Sequence, residues 1–214
     1  MQCESETVVA RAVLIACGSQ RRPLGIPGEE DMAGRGVSHC ASCDGPLFRD
    51  QSVAVIGGGD SGISEAKVLS QFAGEVTVVF REAQPPAQSY LLQDLLTMPN
   101  VKLLSSTQAV EVKGDSAGVT GIRLRGPEGE SQLTVRGVFP YAGLDADTGF
   151  LRGTVELDAQ GQIETDARMR TSLPGVFAAG DARSGTDWRL ASAAEDGRTA
   201  AGAVITYLNE GDKA

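Results

Sequence analysis

Histidine and aromatic residues are scarce in this sequence of 214 residues, with one histidine and 5% Phe, Trp and Tyr. Lys and Arg number 19 against 28 Asp and Glu, which gives a formal net charge of -9. Proteins that bind nucleic acid neutralise phosphates with clustered basic side chains. The charge balance therefore argues against a nucleic-acid partner, and the short basic pair Arg21 and Arg22 does not reverse it.

Long apolar runs are absent from the sequence as well. No run approaches the roughly 20 apolar residues that a membrane-spanning helix needs. The N-terminus lacks the basic-then-apolar order of a secretory signal peptide. We therefore expect a cytoplasmic protein that does not enter the membrane.

Cysteine is infrequent: Cys3 and Cys17 are isolated, whereas Cys40 and Cys43 are closely spaced. In a reducing cytosol a close pair is more often catalytic or metal-binding than structural. A zinc site would need two further ligands, for which Cys3, Cys17 and His39 are the soft candidates. None of them shows the second paired spacing of a structural zinc site, so no metal is predicted.

Glycine, in contrast, is abundant at 27 residues, often where an apolar strand turns into a helix. This is typical of a nucleotide-binding α/β protein, and a 41% hydrophobic composition supports one large core or two modest ones. The apolar pattern predicts the following strands and helices. Strands are expected at 8–16, 53–56, 76–80, 101–104, 119–125, 132–138, 137–143 and 176–179, and helices at about 61–72, 89–96 and 190–208.

The motif GGGDSG begins at Gly57, between a predicted strand and a predicted helix. Gly57 permits a tight turn, Gly59 lets the backbone approach a pyrophosphate, and Gly62 lets the helix pack closely on the strand. Asp60 and Ser61 belong to the same predicted NAD(P) site. The alternative is a glycine-rich turn that binds nothing.

Arg81 and Glu82 follow the second strand of this βαβ unit, where nucleotide preference is usually decided. Arg81 would pair with the 2′-phosphate of NADPH, whereas Glu82 would repel that phosphate or bind the ribose of NADH. We expect NADPH, with NADH as the alternative. A further alternative is that both side chains only decorate a solvated loop.

The pair Cys40 and Cys43 has the C-x-x-C spacing of dithiols that exchange disulfides, where a helix N-terminus lowers one thiol pKa. Asp44 follows directly, and its carboxyl group would relay a proton to or from the departing thiolate. The alternative for Asp44 is an N-cap of the next turn. His39 either stabilises the neighbouring thiolate or serves packing.

Three motifs together resemble the low-molecular-weight thioredoxin reductases: VSHCASCDG at 37–45, GGGDSG at 57–62 and GVFAAGD at 175–181. In that family, and in the related flavoprotein component of alkyl hydroperoxide reductase, the dithiol lies just before the glycine motif of the pyridine-nucleotide domain. The resemblance implies an α/β fold with a Rossmann-like NAD(P)-binding domain at 27–139. Residues 1–26 and 140–214 would then belong to the FAD domain.

The same resemblance implies that electrons pass from NAD(P)H through FAD to the Cys40–Cys43 disulfide and on to a thioredoxin-like protein. It also implies a homodimer and a domain rotation, with hinges near 23–28 and 140–143. The family's FAD-binding G-x-G-x-x-G motif has no counterpart before Cys40, so only the later part of the FAD domain is expected. A flavin-free dithiol or thioredoxin-docking module is therefore the alternative function.

The resemblance also carries over the family's FAD contacts. Cys17 and Gly18 match an Ala-Thr-Gly turn with Cys in the Thr position, and Gly180 and Asp181 match a pair whose carboxylate binds the ribityl chain. The FAD residues expected are Cys17, Gly18, Gly180, Asp181, Arg189, Leu190 and Ala191. Leu190 replaces a Gln of the family and cannot donate a hydrogen bond to the flavin.

Overall fold

A computed structural model describes residues 8–211 and divides the chain into two compact units. The central unit is Arg21–Gly143, and the flanking unit combines Met1–Gln20 with Leu144–Ala214. The chain therefore passes between the units after residues 20 and 143, whereas the sequence places domain boundaries after 26 and 139. No described helix is long and apolar enough to span a membrane.

The helices and strands are as follows in chain order. The strands are β1 (Val13–Ile15), β2 (Ser19–Arg21), β3 (Ser52–Ile56), β4 (Glu75–Val79), β5 (Val101–Leu104), β6 (Gln108–Asp115), β7 (Gly118–Gly126), β8 (Gly129–Leu133), β9 (Gly137–Pro140), β10 (Leu144–Ala146) and β11 (Val176–Ala178). The helices are α1 (Ala41–Asp44), α2 (Asp60–Leu69), α3 (Ser89–Leu96) and α4 (Leu190–Gly211). Short 3₁₀ turns occupy Gly45–Phe48, Gly149–Leu151 and Gly180–Ala182.

A four-stranded parallel sheet in the order β5-β4-β3-β9 forms the middle of the central unit. β3 and β4 are short runs of β-branched residues buried on both faces, as parallel strands are when other elements cover the sheet. α2 buries Ile63, Ala66 and Leu69 in the same core as these strands. The predicted βαβ unit is thus confirmed, and α3 has the bounds predicted for it.

A three-stranded antiparallel sheet, β6-β7-β8, stands where a crossover helix would ordinarily lead into the last parallel strand. The sequence missed β6, because two register shifts break the alternation of its side chains. The predicted strand 132–138 is wrong. Its first residues end the exposed strand β8, whereas Val138 lies fully buried in β9 and pairs in parallel with β3. The predicted strand 137–143 begins where β9 begins and ends three residues after it.

The flanking unit has a parallel strand pair, β1 with β11, and the long helix α4. The predicted strand 8–16 is wrong in length, because β11 offers only three residues and pairs with Val13–Ile15 alone. Val9, in the part predicted as strand, is 94% exposed. The predicted helix 190–208 begins at the same residue as α4 and ends three residues before it.

Candidate active site

Cys40 and Cys43 form a disulfide at the start of α1, with Cα atoms 5.3 Å apart. Cys40 is the N-cap of this four-residue helix, and its Sγ accepts a hydrogen bond from the Cys43 backbone N–H at 3.2 Å. Cys43 is exposed and Cys40 is half-buried. A backbone N–H that donates to this sulfur would favour its thiolate, which is the form that exchanges disulfides.

The edge strand β9 holds the segment that leads into this disulfide. Ser38 N–H donates to the Val138 carbonyl at 3.0 Å, and Val138 N–H donates to the Gly36 carbonyl at 2.8 Å. The segment therefore adds to the parallel sheet for two residues before turning into α1. His39 Nδ1 lies 3.4 Å from the Pro140 carbonyl, a backbone contact, which favours the packing role over contact with a thiolate.

Asp44, the last residue of α1, is tied to the disulfide through Ser38. The Ser38 hydroxyl donates to Asp44 Oδ2 at 2.5 Å and accepts from Cys40 N–H at 3.2 Å. Asp44 precedes the 3₁₀ turn Gly45–Phe48 but makes no side-chain capping bond to it. The structure thus does not support the N-cap alternative and places the carboxylate two hydrogen bonds from the Cys40 backbone.

The zinc alternative finds no support in residues 8–211, where no group of three or more His, Cys, Asp or Glu could hold a metal ion. Cys3, one of its candidate ligands, lies outside the described residues.

The glycine turn between β3 and α2 has the geometry that its motif predicts. Gly57 has φ +129°, a backbone conformation open chiefly to glycine. A Cβ on Gly62 would lie 2.0 Å from the Gly57 carbonyl oxygen, so the helix start packs directly on the turn. A Cβ on Gly59 would meet nothing within 4 Å, which leaves its backbone open to a ligand.

Asp60 and Ser61 lie in the first turn of α2. The Asp60 carboxylate accepts hydrogen bonds from the backbone and the side-chain amide of Gln88, the residue before α3. Ser61 is exposed. Asp60 therefore has a structural partner in addition to the nucleotide-binding role predicted for it.

A cavity of about 360 Å³ opens at the carboxyl edge of the parallel sheet, beside the glycine turn. Arg81 and Glu82 both line it, next to Phe80, which packs beneath Gly58. The full lining is Arg22, Pro23, Leu24, Ile56, Gly57, Gly58, Gly59, Val79, Phe80, Arg81, Glu82, Pro86, Thr107, Gln108, Ala109, Tyr141, Ala142 and Gly143. Ligands of open parallel sheets bind at this edge.

The residues predicted to contact FAD lie in the flanking unit. Cys17 and Gly18 follow β1, where Gly18 has φ +72° and the Cys17 thiol donates to the Asp147 carbonyl at 3.2 Å. Burial raises the pKa of the Cys17 thiol. Asp181 Oδ2 accepts a hydrogen bond from the Ser19 hydroxyl at 3.0 Å, so the structure brings this carboxylate beside the turn at Gly18.

A buried ion pair fixes the turn that carries Gly180. Asp196 of α4 accepts from Gly180 N–H at 3.1 Å and from Arg183 Nε and Nη2 at 2.5 and 2.7 Å. The Arg183 guanidinium lowers the pKa of the Asp196 carboxyl. Sequence reasoning missed this pair, because the two residues are separated by the loop before α4.

Leu190 opens α4 and is 89% exposed, and Arg189 and Ala191 flank it at the same end. The structure thus places the three predicted residues at the start of a helix, as expected. The Leu190 side chain has no polar atom to offer there.

Glu65 and Tyr141 were also missed. Glu65 Oε2 accepts hydrogen bonds from Ala41 N–H at 3.1 Å and from the Tyr141 hydroxyl at 3.3 Å. Ligands of open parallel sheets bind beyond the carboxyl ends of the strands. Because Tyr141 directly follows β9, this rule could have identified it as a site residue. Glu65 lies within α2, and no local signal in the sequence showed which element it faces.

A cysteine pair at a short helix, packed against a dinucleotide-type strand–turn–helix, defines a class of nucleotide-dependent disulfide oxidoreductases. The sequence profile of the family described as pyridine nucleotide-disulphide oxidoreductase matches residues 2–197. The chain belongs to this family.

Relatives within the family are similar along nearly the whole chain. Thioredoxin reductase of Mycolicibacterium smegmatis is 42% identical over 210 residues, covering 97% of this chain and 67% of that protein. A component of the alkyl hydroperoxide reductase of Pseudomonas putida is 39% identical over 201 residues, covering 93% and 39%. The chain therefore spans about two thirds of the first protein and well under half of the second.

Solved structures of thioredoxin reductases are similar to this chain in fold. The crystal structure of Lactococcus lactis thioredoxin reductase in its FR conformation gives a TM-score of 0.91 at 34% identity, over 97% of this chain and 69% of that one. The thioredoxin reductase of T. acidophilum gives 0.87 at 36% identity, over 97% and 68%. The resemblance to low-molecular-weight thioredoxin reductases, and the α/β fold that it implies, are thereby confirmed.

Proposed function

We propose that this chain carries the dithiol and nucleotide-binding part of a thioredoxin-reductase-like enzyme, in which electrons from NAD(P)H pass through FAD to Cys40–Cys43. The dithiol would then reduce a thioredoxin-like protein. One observation carries the proposal: the disulfide helix α1 and the glycine turn before α2 belong to the same compact unit, and Glu65 joins them by a hydrogen bond. The relatives named thioredoxin reductase support the same assignment.

The cavity beside Gly59 supports a nicotinamide dinucleotide as the proposed ligand. The open space over Gly59 admits a pyrophosphate close to the backbone, where the N-terminus of α2 offers its N–H groups. Arg81 and Glu82 at the cavity would face the ribose. We propose NADPH as the donor with NADH as the alternative, since Arg81 favours the 2′-phosphate and Glu82 opposes it.

Residues from both parts of the flanking unit support part of a flavin site. The glycine turn at Gly18 gives a close backbone approach, and Asp181 offers a carboxylate on the neighbouring 3₁₀ turn. FAD, when bound, supplies the two-electron carrier between nicotinamide and disulfide. The FAD contacts proposed from this unit are Cys17, Gly18, Gly180, Asp181, Arg189, Leu190 and Ala191, of which Leu190 could contribute only through its backbone or by apolar contact.

The reductive step converts the Cys40–Cys43 disulfide into two thiols by taking up two electrons and two protons. We propose that Asp44 supplies one of these protons, a role supported by the Ser38 hydroxyl, which donates to the Asp44 carboxylate and accepts the Cys40 N–H. The exposed Cys43 is the sulfur that solvent and a partner protein reach more easily. We propose a cytoplasmic enzyme that assembles as a homodimer, following the family.

The test is to purify the chain, add FAD, and follow flavin absorbance and the oxidation of NADPH and NADH with a thioredoxin as acceptor. Flavin binding and turnover that Cys40→Ser and Cys43→Ser each abolish would support the proposal. A chain that binds no FAD and oxidises neither nucleotide would refute it for this chain. The flavin-free alternative would then gain support if the wild type still forms a mixed disulfide with thioredoxin and Cys40→Ser does not.

A further inference from the structure

Glu65 directs a negative charge at the helix that carries the disulfide. α2 has three charged residues: the Asp60 carboxylate binds Gln88, and Lys67 pairs with Asp94 at 2.6 Å. Glu65 instead accepts the Ala41 N–H at 3.1 Å. Glu65 is thus the charged residue of α2 that contacts α1.

Ala41 is the first residue of α1, and its N–H is among the donors that a helix start leaves free for a neighbouring anion. In the reduced protein, a Cys40 thiolate would draw on these same donors, as the Cys40 sulfur already does with Cys43 N–H. Glu65 accepts the Ala41 N–H, which the Tyr141 hydroxyl oxygen also faces, and brings a like charge to the start of α1. In the reduced protein both effects would disfavour a thiolate.

Tyr141 fixes the Glu65 carboxylate in this position. Its hydroxyl donates to Glu65 Oε2 at 3.3 Å, and its backbone N–H donates to the Ile56 carbonyl at 2.7 Å, which holds it at the sheet. Burial and the neighbouring Glu65 charge raise the pKa of Tyr141, so the hydroxyl keeps its proton and remains a donor. Arg21 is the positive group near enough to oppose this shift.

Within the described part of the chain, the other titratable groups with contacts at α1 are Tyr141, Asp44 and His39. Asp44 lies on α1 itself and is bound by Ser38, and His39 precedes α1 and contacts a backbone carbonyl. The adjoining turn, Gly45–Phe48, contributes no charged side chain. Glu65 is therefore the carboxylate that reaches α1 from a packed neighbour.

We propose that Glu65 is a positioning residue that restrains thiolate formation at the Cys40–Cys43 dithiol, with Tyr141 holding its carboxylate in place. The inference rests on the proposed function only in taking this cysteine pair as the reactive one. In a reductase the restraint would slow attack by chance electrophiles on the reduced enzyme.

The experiment measures the alkylation rate of each cysteine in the reduced full chain as a function of pH, by peptide mass mapping, without flavin or nicotinamide. Glu65→Gln keeps an acceptor for Ala41 N–H and removes the charge. We expect it to lower the pKa of the reactive thiol by about half a unit to one unit, which raises its alkylation rate at pH 7 by about three- to tenfold. Glu65→Ala should change the rate in the same direction, because it removes the same charge, while the Tyr141 hydroxyl remains beside the Ala41 N–H.

Two controls separate this effect from a structural one. Glu65→Asp keeps the charge and should alkylate within about twofold of the wild type, a factor equal to a shift of roughly 0.3 pKa units. Cys17, in the flanking unit, is an internal reference whose rate should not change. Folded Glu65→Gln and Glu65→Ala variants with the wild-type pH profile, or a Glu65→Asp profile shifted as much as theirs, would overturn the proposal.

The outcome is independent of the proposed electron path. A chain that never oxidises NADPH can still show the expected shift, since alkylation reports on the thiols alone. A chain that turns over NADPH with an unshifted Glu65→Gln profile would refute the role of Glu65 and leave the proposed function intact.

Discussion

Replacing Gly62 with alanine should destabilise the central unit, because the added methyl group has no room. The new Cβ would lie 2.0 Å from the Gly57 carbonyl oxygen, whereas ordinary contact begins near 3.4 Å, so the start of α2 would have to retreat by about 1.4 Å. Both contacting groups are backbone, which cannot rotate away as a side chain can. Crowding of this severity costs about 3 kcal/mol.

Alanine also favours the helix over glycine by up to about 1 kcal/mol, which offsets part of that cost. The expected net loss for Gly62→Ala is therefore about 2 kcal/mol in the free energy of unfolding. For a chain of this size that loss corresponds to a fall in melting temperature of roughly 4 to 8 °C. Thermal unfolding followed by circular dichroism measures it directly.

Gly59→Ala is the matched control in the same turn. Its Cβ would meet nothing within 4 Å, and its φ of -77° suits any residue, so the fold should lose only the about 0.5–1 kcal/mol of a poorer N-cap. NADPH binding should weaken by at least about tenfold, or 1.4 kcal/mol, because the methyl group stands where a pyrophosphate would approach. Equal melting temperatures for Gly62→Ala and the wild type, or tight NADPH binding by Gly59→Ala, would refute the reasoning.

Three further changes test other parts of the molecule. Phe139→Ala should cost about 3–5 kcal/mol in urea unfolding, since this fully buried ring packs edge-on against Phe48 at 5.5 Å; a loss under about 1 kcal/mol would contradict its place in the core. Asp196→Asn should lower the free energy of unfolding at pH 7. It should also weaken the decrease of that free energy as the pH falls into the acid range. Arg183 holds the folded pKa of Asp196 below the ordinary 3.8, so its contribution is full above that value and is lost as the pH falls through the folded pKa; parallel acid-unfolding curves for the two proteins would argue against this. Glu82→Gln should raise the preference for NADPH over NADH by about three- to tenfold in binding assays, because one carboxylate no longer repels a 2′-phosphate; an unchanged ratio would remove Glu82 from the nucleotide site.

Local patterns in the sequence were sufficient to predict features that lie within a single turn, helix or strand. The turn at Gly57 follows from the motif, because only glycine tolerates its φ and only glycine fits at Gly62. The bounds of α3 follow from apolar spacing and the stop at Thr97. The closeness of the two sulfurs follows from the three-residue separation of Cys40 and Cys43 at a helix start.

Contacts between distant segments could not be predicted in the same way. β6 alternates imperfectly, since two register shifts interrupt it, and its sequence resembles a loop. The partners of Glu65 and Asp196 depend on which faces of α2 and α4 meet the neighbouring backbone. These contacts depend on tertiary packing, which leaves no periodic pattern in the sequence.

The pairing of the disulfide segment with β9 has a consequence for biosynthesis. His39 contacts Pro140 across 101 positions of the chain, and Ser38 pairs with Val138. A ribosome releases the two cysteines long before it releases the strand that holds them. The nascent chain thus exposes an unsupported dithiol until about 100 further residues have emerged, which at synthesis rates of roughly 5–20 residues per second lasts several seconds. During this interval the fold does not yet shield the two thiols.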